Sequence, residues 1–429
     1  MGLSLSQLVT LLAIVLPRGV VPSRATVGRW VSQSAEQSSR ILRVLDQACQ
    51  RWVLLLCLDE IFFHREPILM AVEPVSLVWL AGQRGPDRSG SSWSEVIERW
   101  PSLEHVVADG GTGLERGVKL ANERRQAQSQ DPASAPHPTI TMGLDVFHSQ
   151  RELERVQQRQ WKQAERQLEA ASETDAKVAQ WKRRGGDLRG VASSAARAWH
   201  KAEQLFDEAV QSEAAVKQVE AALCWFDAGG HLRSRGEAQE QLEKASAQLG
   251  GSQWSKVRRV LKDERTLSHV DRLGTQLAEV VPEPVLRDSL TRVWFFNDRL
   301  THAKDDENGR LRSLVAIEQV LCSRLDPQWQ ATYVQVDNVL RQAVRASSAV
   351  EGVNSVVRMH QGRHRHVSQG MLDLKRLYGN CRVFREGKRK GRRPYDLLGV
   401  KVPNSDWWQL LQMDPEELEQ KLLTQYVRV

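Results

Sequence analysis

Five short apolar runs crowd into residues 51–148, and beyond them the chain switches to a long stretch with helical spacing. This change of period constrains the fold more than any other feature. The runs WVLLLCLDE, EPILMAVEP, SLVWLAGQR, HVVADGG and TITMGLDVF are each punctuated by Pro, Gly or charge, as strands are. The first three lie close enough together for antiparallel hairpins. Helices expected over 93–100 and 114–125 separate the later ones, which suits parallel pairing. An α/β sheet of about five strands with mixed pairing follows. From about 149 to 345 the residues are mostly Ala, Gln, Glu, Arg and Lys. Apolar positions recur there at intervals of three and four: Trp161, Ala164, Leu168 and Ala171, then Val216, Val219, Leu223 and Phe226. This is a block of helices, with breaks at RRGGDLRG and LGGSQ. Its tryptophans, Trp161, Trp181, Trp199, Trp225 and Trp254, read as core by default.

The flanks complete five segments. Residues 1–50 read as a small helical domain. In PSRATVGRWVSQ, Ser23 is placed to cap a helix that presents Arg24, Thr26 and Arg29 and packs Val27 and Val31 inward. That is the form of the second helix of a helix-turn-helix, and equally of a plain helical packing unit. Residues 51–148 form the first part of the sheet layer and 149–340 the helical insertion. Residues 341–400 return to the sheet layer with one more helix and a basic segment, and 401–429 form a helical tail. The apolar LVTLLAIVL near the start is too short to span a bilayer and has neither a basic leader nor a small-residue cleavage site. Five cysteines without a CxxC pair point to a reduced, cytoplasmic compartment.

Chemistry enters through acids at the ends of apolar runs. Carboxylates are seldom buried without a partner, yet LLLCLDEIFF carries Asp59 and Glu60 in its middle. Either the strand ends there or Asp59 has a task. Asp109 follows the fourth run in the same way. If the first and fourth strands are neighbours, the two carboxylates meet, and a cation is needed between them. Glu60 points to the opposite face from Asp59. A third carboxylate is available from Glu351, whose helix places Glu351, Asn354 and Arg358 along one face and Val350, Val353 and Val357 along another. Three such acids suit two Mg²⁺ (or Mn²⁺) ions in phosphoryl transfer. Taken singly, Asp59 also reads as a solvated strand-end residue and Asp109 as a helix cap.

The chain's net charge of +7 permits nucleic acid as a partner. NCRVFREGKRKGRRPYD holds seven Lys or Arg between 382 and 393, with Phe384 and Tyr395 interleaved. Lys388, Arg389, Lys390, Arg392 and Arg393, with Arg358, Arg363 and Arg365 before them, are candidates for phosphate contact, against the alternative of a solvated basic tail. The arginines inside HQGRHRH argue against a zinc site at its histidines.

The order of elements resembles the RNase H-like core of DDE transposases: strand with Asp59, two strands, helix, strand with Asp109, helix, strand, then a helix with Glu351. VEGVNSVVRMHQGRHRHVSQGMLDLKRLYGNCRVF followed by GKRKGRRPYDLLG is similar to the C-terminal part of bacterial insertion-sequence transposases. GLDVFH resembles the C/D-x-x-H signature of hAT-like and Mutator-like transposases, with Asp145 and His148 in the matching positions. In those families a helical insertion precedes the catalytic Glu.

The resemblance implies an RNase H-like mixed sheet interrupted by a large all-α insertion and preceded by a helix-turn-helix-like domain. Asp59, Asp109 and Glu351 would be the catalytic, metal-binding triad, with Asn354 nearby. It further implies transposon-end and target DNA as substrates, at least a dimer, and a place on the bacterial nucleoid. An RNase H-like nuclease without transposition and a non-catalytic, domesticated DNA-binding protein remain as alternatives.

Overall fold

The computed structural model describes residues 3–17, 19–129, 137–302, 305–361, 366–404 and 406–426. It divides into two compact units, Met1–Asp145 with Val344–Val429, and Val146–Ala343. In chain order the first unit opens with α1 (Leu5–Val15) and α2 (Arg24–Cys49). Then come β1 (Leu55–Phe63), β2 (Glu66–Val72), β3 (Trp79–Arg84), α3 (Gly90–Ile97), β4 (His105–Ala108), α4 (Thr112–Gln128) and β5 (Thr141–Leu144). The second unit comprises α5 (Val146–Arg183), α6 (Arg189–Ala222), α7 (Arg235–Gln248), α8 (Ser255–Leu261), α9 (Ser268–Val280), α10 (Pro284–Leu300), α11 (Asp305–Leu325) and α12 (Trp329–Gln342). The chain returns to the first unit with α13 (Ser348–Gln361), α14 (Gln369–Cys381), α15 (Pro394–Leu398), α16 (Trp407–Leu411) and α17 (Pro415–Tyr426).

The five apolar runs form one mixed sheet in the order β3-β2-β1-β4-β5. β2 is antiparallel to β1 and β3, while β4 is parallel to both β1 and β5. β1 does not stop at the acidic pair. It continues to Phe63, because its second half pairs residue by residue with β2. Alternation then sorts the side chains. Leu56 and Leu58 enter a core with Leu69, Leu80, Val106 and residues of α2, α3, α4 and α14–α17. Leu55, Cys57, Ile61 and Phe63 enter a second core with Met70, Val107 and the Val350 and Val357 of α13. Asp59 therefore shares the α13 face, and Glu60 the other.

The N-terminal segment is not a separate domain. Ser23 does cap α2, accepting from the Thr26 N–H at 3.1 Å. However, α2 runs on to Cys49 and buries Ile41, Leu42 and Leu45 in the sheet's own core. Residues 16–23 join α1 to α2, a longer connection than the three- to four-residue turn of a helix-turn-helix. The tail past residue 400 is likewise built in, since Leu410, Leu411, Leu418 and Leu422 lie in that same core. Among the described residues no helix is long and apolar enough to cross a membrane.

Among the described residues the second unit has three cores of its own, one around Val219, Leu242 and Trp254, one around Leu277, Leu290 and Val336, and a small one of Phe296, Leu311 and Val315. Of its five tryptophans named above, only Trp254 is fully buried, and Trp181 stands exposed. The Trp199 ring N–H instead donates to Asp175 at 2.6 Å along the paired helices α5 and α6.

Candidate active site

The β1–β4 ladder sets Leu55 opposite His105 and Cys57 opposite Val107. Carried two residues further, this register puts Asp59 level with Asp109, where β4 ends. Asp59 is 8 % exposed and its carboxylate meets α13. Its Oδ2 accepts from Asn354 Nδ2 at 2.6 Å, and its Oδ1 from the Glu60 N–H at 2.8 Å. Asp109 is exposed and accepts from the Gly111 N–H at 2.9 Å, which shapes the turn into α4 without capping it; the cap position is Gly111. Gly110 has φ +75°, a backbone that favours glycine, and lets the chain leave β4 sharply enough for Asp109 to face outward.

α13 is arranged differently from its expected striping. Asn354 is fully buried between Val350 and Val357, on the valine face that meets the sheet. Glu351 and Arg358 stand on the flank, where Arg358 Nη1 meets Glu351 Oε2 at 2.8 Å. The amide of Asn354 is half used: its nitrogen serves Asp59, while its Oδ1 is buried with no hydrogen-bond donor. A buried acceptor left this way costs about 1–3 kcal/mol unless a guest supplies a partner.

Asp145 holds a structural post. Fully buried after β5, it accepts from the Ser347 N–H at 3.0 Å and from the Ser347 hydroxyl, and so fixes the residue from which α13 starts. His148 lies in the first turn of α5, in the second unit, edge-on to Phe147. On the far face of β1, Glu60 pairs with Arg88 at 2.8 Å. Glu60, and to a lesser degree Asp109, raise the Arg88 pKa. Nothing in the sequence marks Arg88 or Ser347, because each acts through a residue distant in the chain.

The basic segment is a built hairpin rather than a solvated tail. The Phe384 N–H donates to the Arg392 carbonyl, and the Gly391 N–H to the Phe384 carbonyl, both at 2.9 Å. Arg389 is spent on structure, its Nε and Nη2 donating to the carbonyls of Val75 and Pro74. Arg393 grips Asp396 through two bonds of 2.8 Å, and Tyr395 is core. Lys388, Lys390 and Arg392 are exposed. At the N-terminus Arg24 and Arg29 are exposed, while the Thr26 hydroxyl is engaged by Ser23 at 2.9 Å. Arg363 and Arg365 lie outside the described residues.

The donors that Asp59, Asp109, Glu351 and Asn354 Oδ1 offer are all oxygens, the set that a hard divalent cation takes. As the side chains stand, no three or more His, Cys, Asp and Glu among the described residues are grouped to hold an ion. The chain matches none of the protein families it was compared with, and no curated protein either.

Proposed function

We propose that the protein is a DNA transposase of the DDE type, with an RNase H-like core, that cleaves transposon ends and transfers the freed 3′-hydroxyls to target DNA. One observation carries this reading: the parallel β1–β4 register, continued two residues past its last pair, would bring Asp59 level with Asp109, and the Glu351 helix packs over the Asp59 face. The unsatisfied Asn354 Oδ1 and the all-oxygen donor set support a fit to Mg²⁺ or Mn²⁺. Two such ions, held by Asp59, Asp109 and Glu351, supply activation of the attacking oxygen and stabilisation of the leaving one when bound.

The chain's own residues do the rest. Asn354 orients Asp59, and Asp145 sets the start of α13 through Ser347. Glu351 joins the two aspartates once its pair with Arg358 opens, and this frees the half-exposed guanidinium for a DNA phosphate. Lys388, Lys390, Arg392, Arg24 and Arg29 are further cations for double-stranded DNA. Synapsis of two ends calls for at least a dimer, acting on the bacterial nucleoid.

The Glu351–Arg358 pair itself favours a second reading, a DNA-binding protein that has kept the fold without catalysis, since it neutralises the third acid. Cleavage of a plasmid carrying the gene's flanking DNA separates the two. With Mg²⁺, the transposase cuts at fixed flanking positions and Asp109→Asn abolishes the cuts while retaining binding. Equal binding and no cleavage by either protein would leave the second reading.

A further inference from the structure

A cleft of about 440 Å³ opens between the last turn of α14 and the basic hairpin, lined by Tyr378, Arg382, Phe384, Arg385 and Lys390. Tyr378 is 48 % exposed and held from behind by the edge of Trp407, with ring centroids 5.6 Å apart. Phe384 is half-buried, fixed by the two backbone bonds that close the hairpin. Arg382 and Arg385 are exposed, as is Lys390, and among the described residues no carboxylate forms an ion pair with any of the three. Glu386 is the one acid between 382 and 393. Two further arginines of the hairpin anchor it, Arg389 to the β2–β3 turn and Arg393 to Asp396. The loop is therefore held in shape, and three cations beside two aromatic rings are left for a ligand.

We infer that this cleft binds an unpaired nucleotide of single-stranded DNA, its base stacked on Tyr378 or Phe384 and its phosphates on Arg382, Arg385 and Lys390. Aromatic faces gain nothing from a duplex, whose bases are already stacked, whereas every unpaired base offers a π-face. An acidic peptide would use the cations and leave the rings unused. The inference rests on nucleic acid being the partner, but not on cleavage. Arg389 holds the hairpin against residues 74–75, beyond the level at which Val72 pairs with Cys57, whereas Asp59 and Asp109 lie further along in the other direction. The cleft is thus a second contact, reached by a strand that has left the duplex.

Fluorescence anisotropy with the full chain tests this, using a labelled oligothymidylate, an abasic oligomer of equal length and a matched duplex. Tyr378→Ala should weaken oligothymidylate binding roughly ten-fold and leave duplex binding unchanged, with Tyr378→Trp restoring it. The abasic oligomer should bind wild type about as weakly as oligothymidylate binds Tyr378→Ala. Replacing Arg382, Arg385 and Lys390 together by Ala should lower the slope of log affinity against log salt by about two. Equal affinity for the abasic oligomer, no effect of Tyr378→Ala, or equal displacement by polyglutamate would overturn the assignment. Loss of cleavage in the plasmid assay with Tyr378-dependent binding intact would sink the transposase reading alone.

Discussion

Asn354 carries one amide with two fates, a nitrogen bonded to Asp59 and an oxygen bonded to nothing, both in the dark between helix and sheet. Asn354→Asp would set a second carboxylate against Asp59. Without a cation the variant should be destabilised by about 3 kcal/mol, and millimolar Mg²⁺ should recover most of that loss in a thermal melt. A melt indifferent to Mg²⁺ would argue that no ion enters there. Asp145→Ala strips Ser347 of its acceptor and should cost about 2–3 kcal/mol in urea unfolding, with Asp145→Asn costing less. The buried thiols give a pH signature. Burial pushes Cys322 up to about 11 and Cys381 up to about 12, from an ordinary 9.0. Above pH 9 the unfolded chain sheds these protons while the folded chain keeps them. Stability present below pH 9 should therefore drain away as the pH climbs toward 11, as read by chemical denaturation at stepped pH.

Among the elements, α3 and α4 pack closer than side chains would allow. A Cβ on Gly113 would run into the Arg88 carbonyl, and one on Gly117 would lie 2.5 Å from the Trp93 Cβ. Gly113→Ala must push α4 off the loop that carries Arg88, costing about 1–3 kcal/mol. It should also lower any cleavage more than an exposed Ala substitution on α4 does. The five strands and the mixed character of their pairing were legible in the sequence, because alternation and Pro/Gly punctuation are local signals. So was the Ser23 cap. The reach of β1 to Phe63 was not, since it depends on β2. The joining of α2 and α17 to the sheet's core was also hidden, because a buried helix stripe does not say which layer it covers. At the site, the sequence could set Asp59 and Asp109 side by side only on the condition that the first and fourth strands pair, whereas Asn354's burial, the Glu351–Arg358 pair and the anchoring of Arg389 depend on tertiary neighbours that spacing does not encode.

At the scale of the whole molecule, the sequence read as five segments and folds as two units, one of them discontinuous. The expected boundaries of the helical block, 149 and 340, lie a few residues inside the observed Val146 and Ala343. The fine placement is set by the Asp145–Ser347 bonds, which pin the two crossing points of the chain to one spot. That pinning makes the junction a natural splice point. Because the ends are already clasped, residues 146–343 could be cut out and replaced by a short Gly-Ser bridge without stretching what remains. The shortened chain should still melt cooperatively and show the circular dichroism of a mixed α/β protein. Evolution could have loaded or exchanged a whole helical cargo through that clasp without renegotiating the sheet on either side of it.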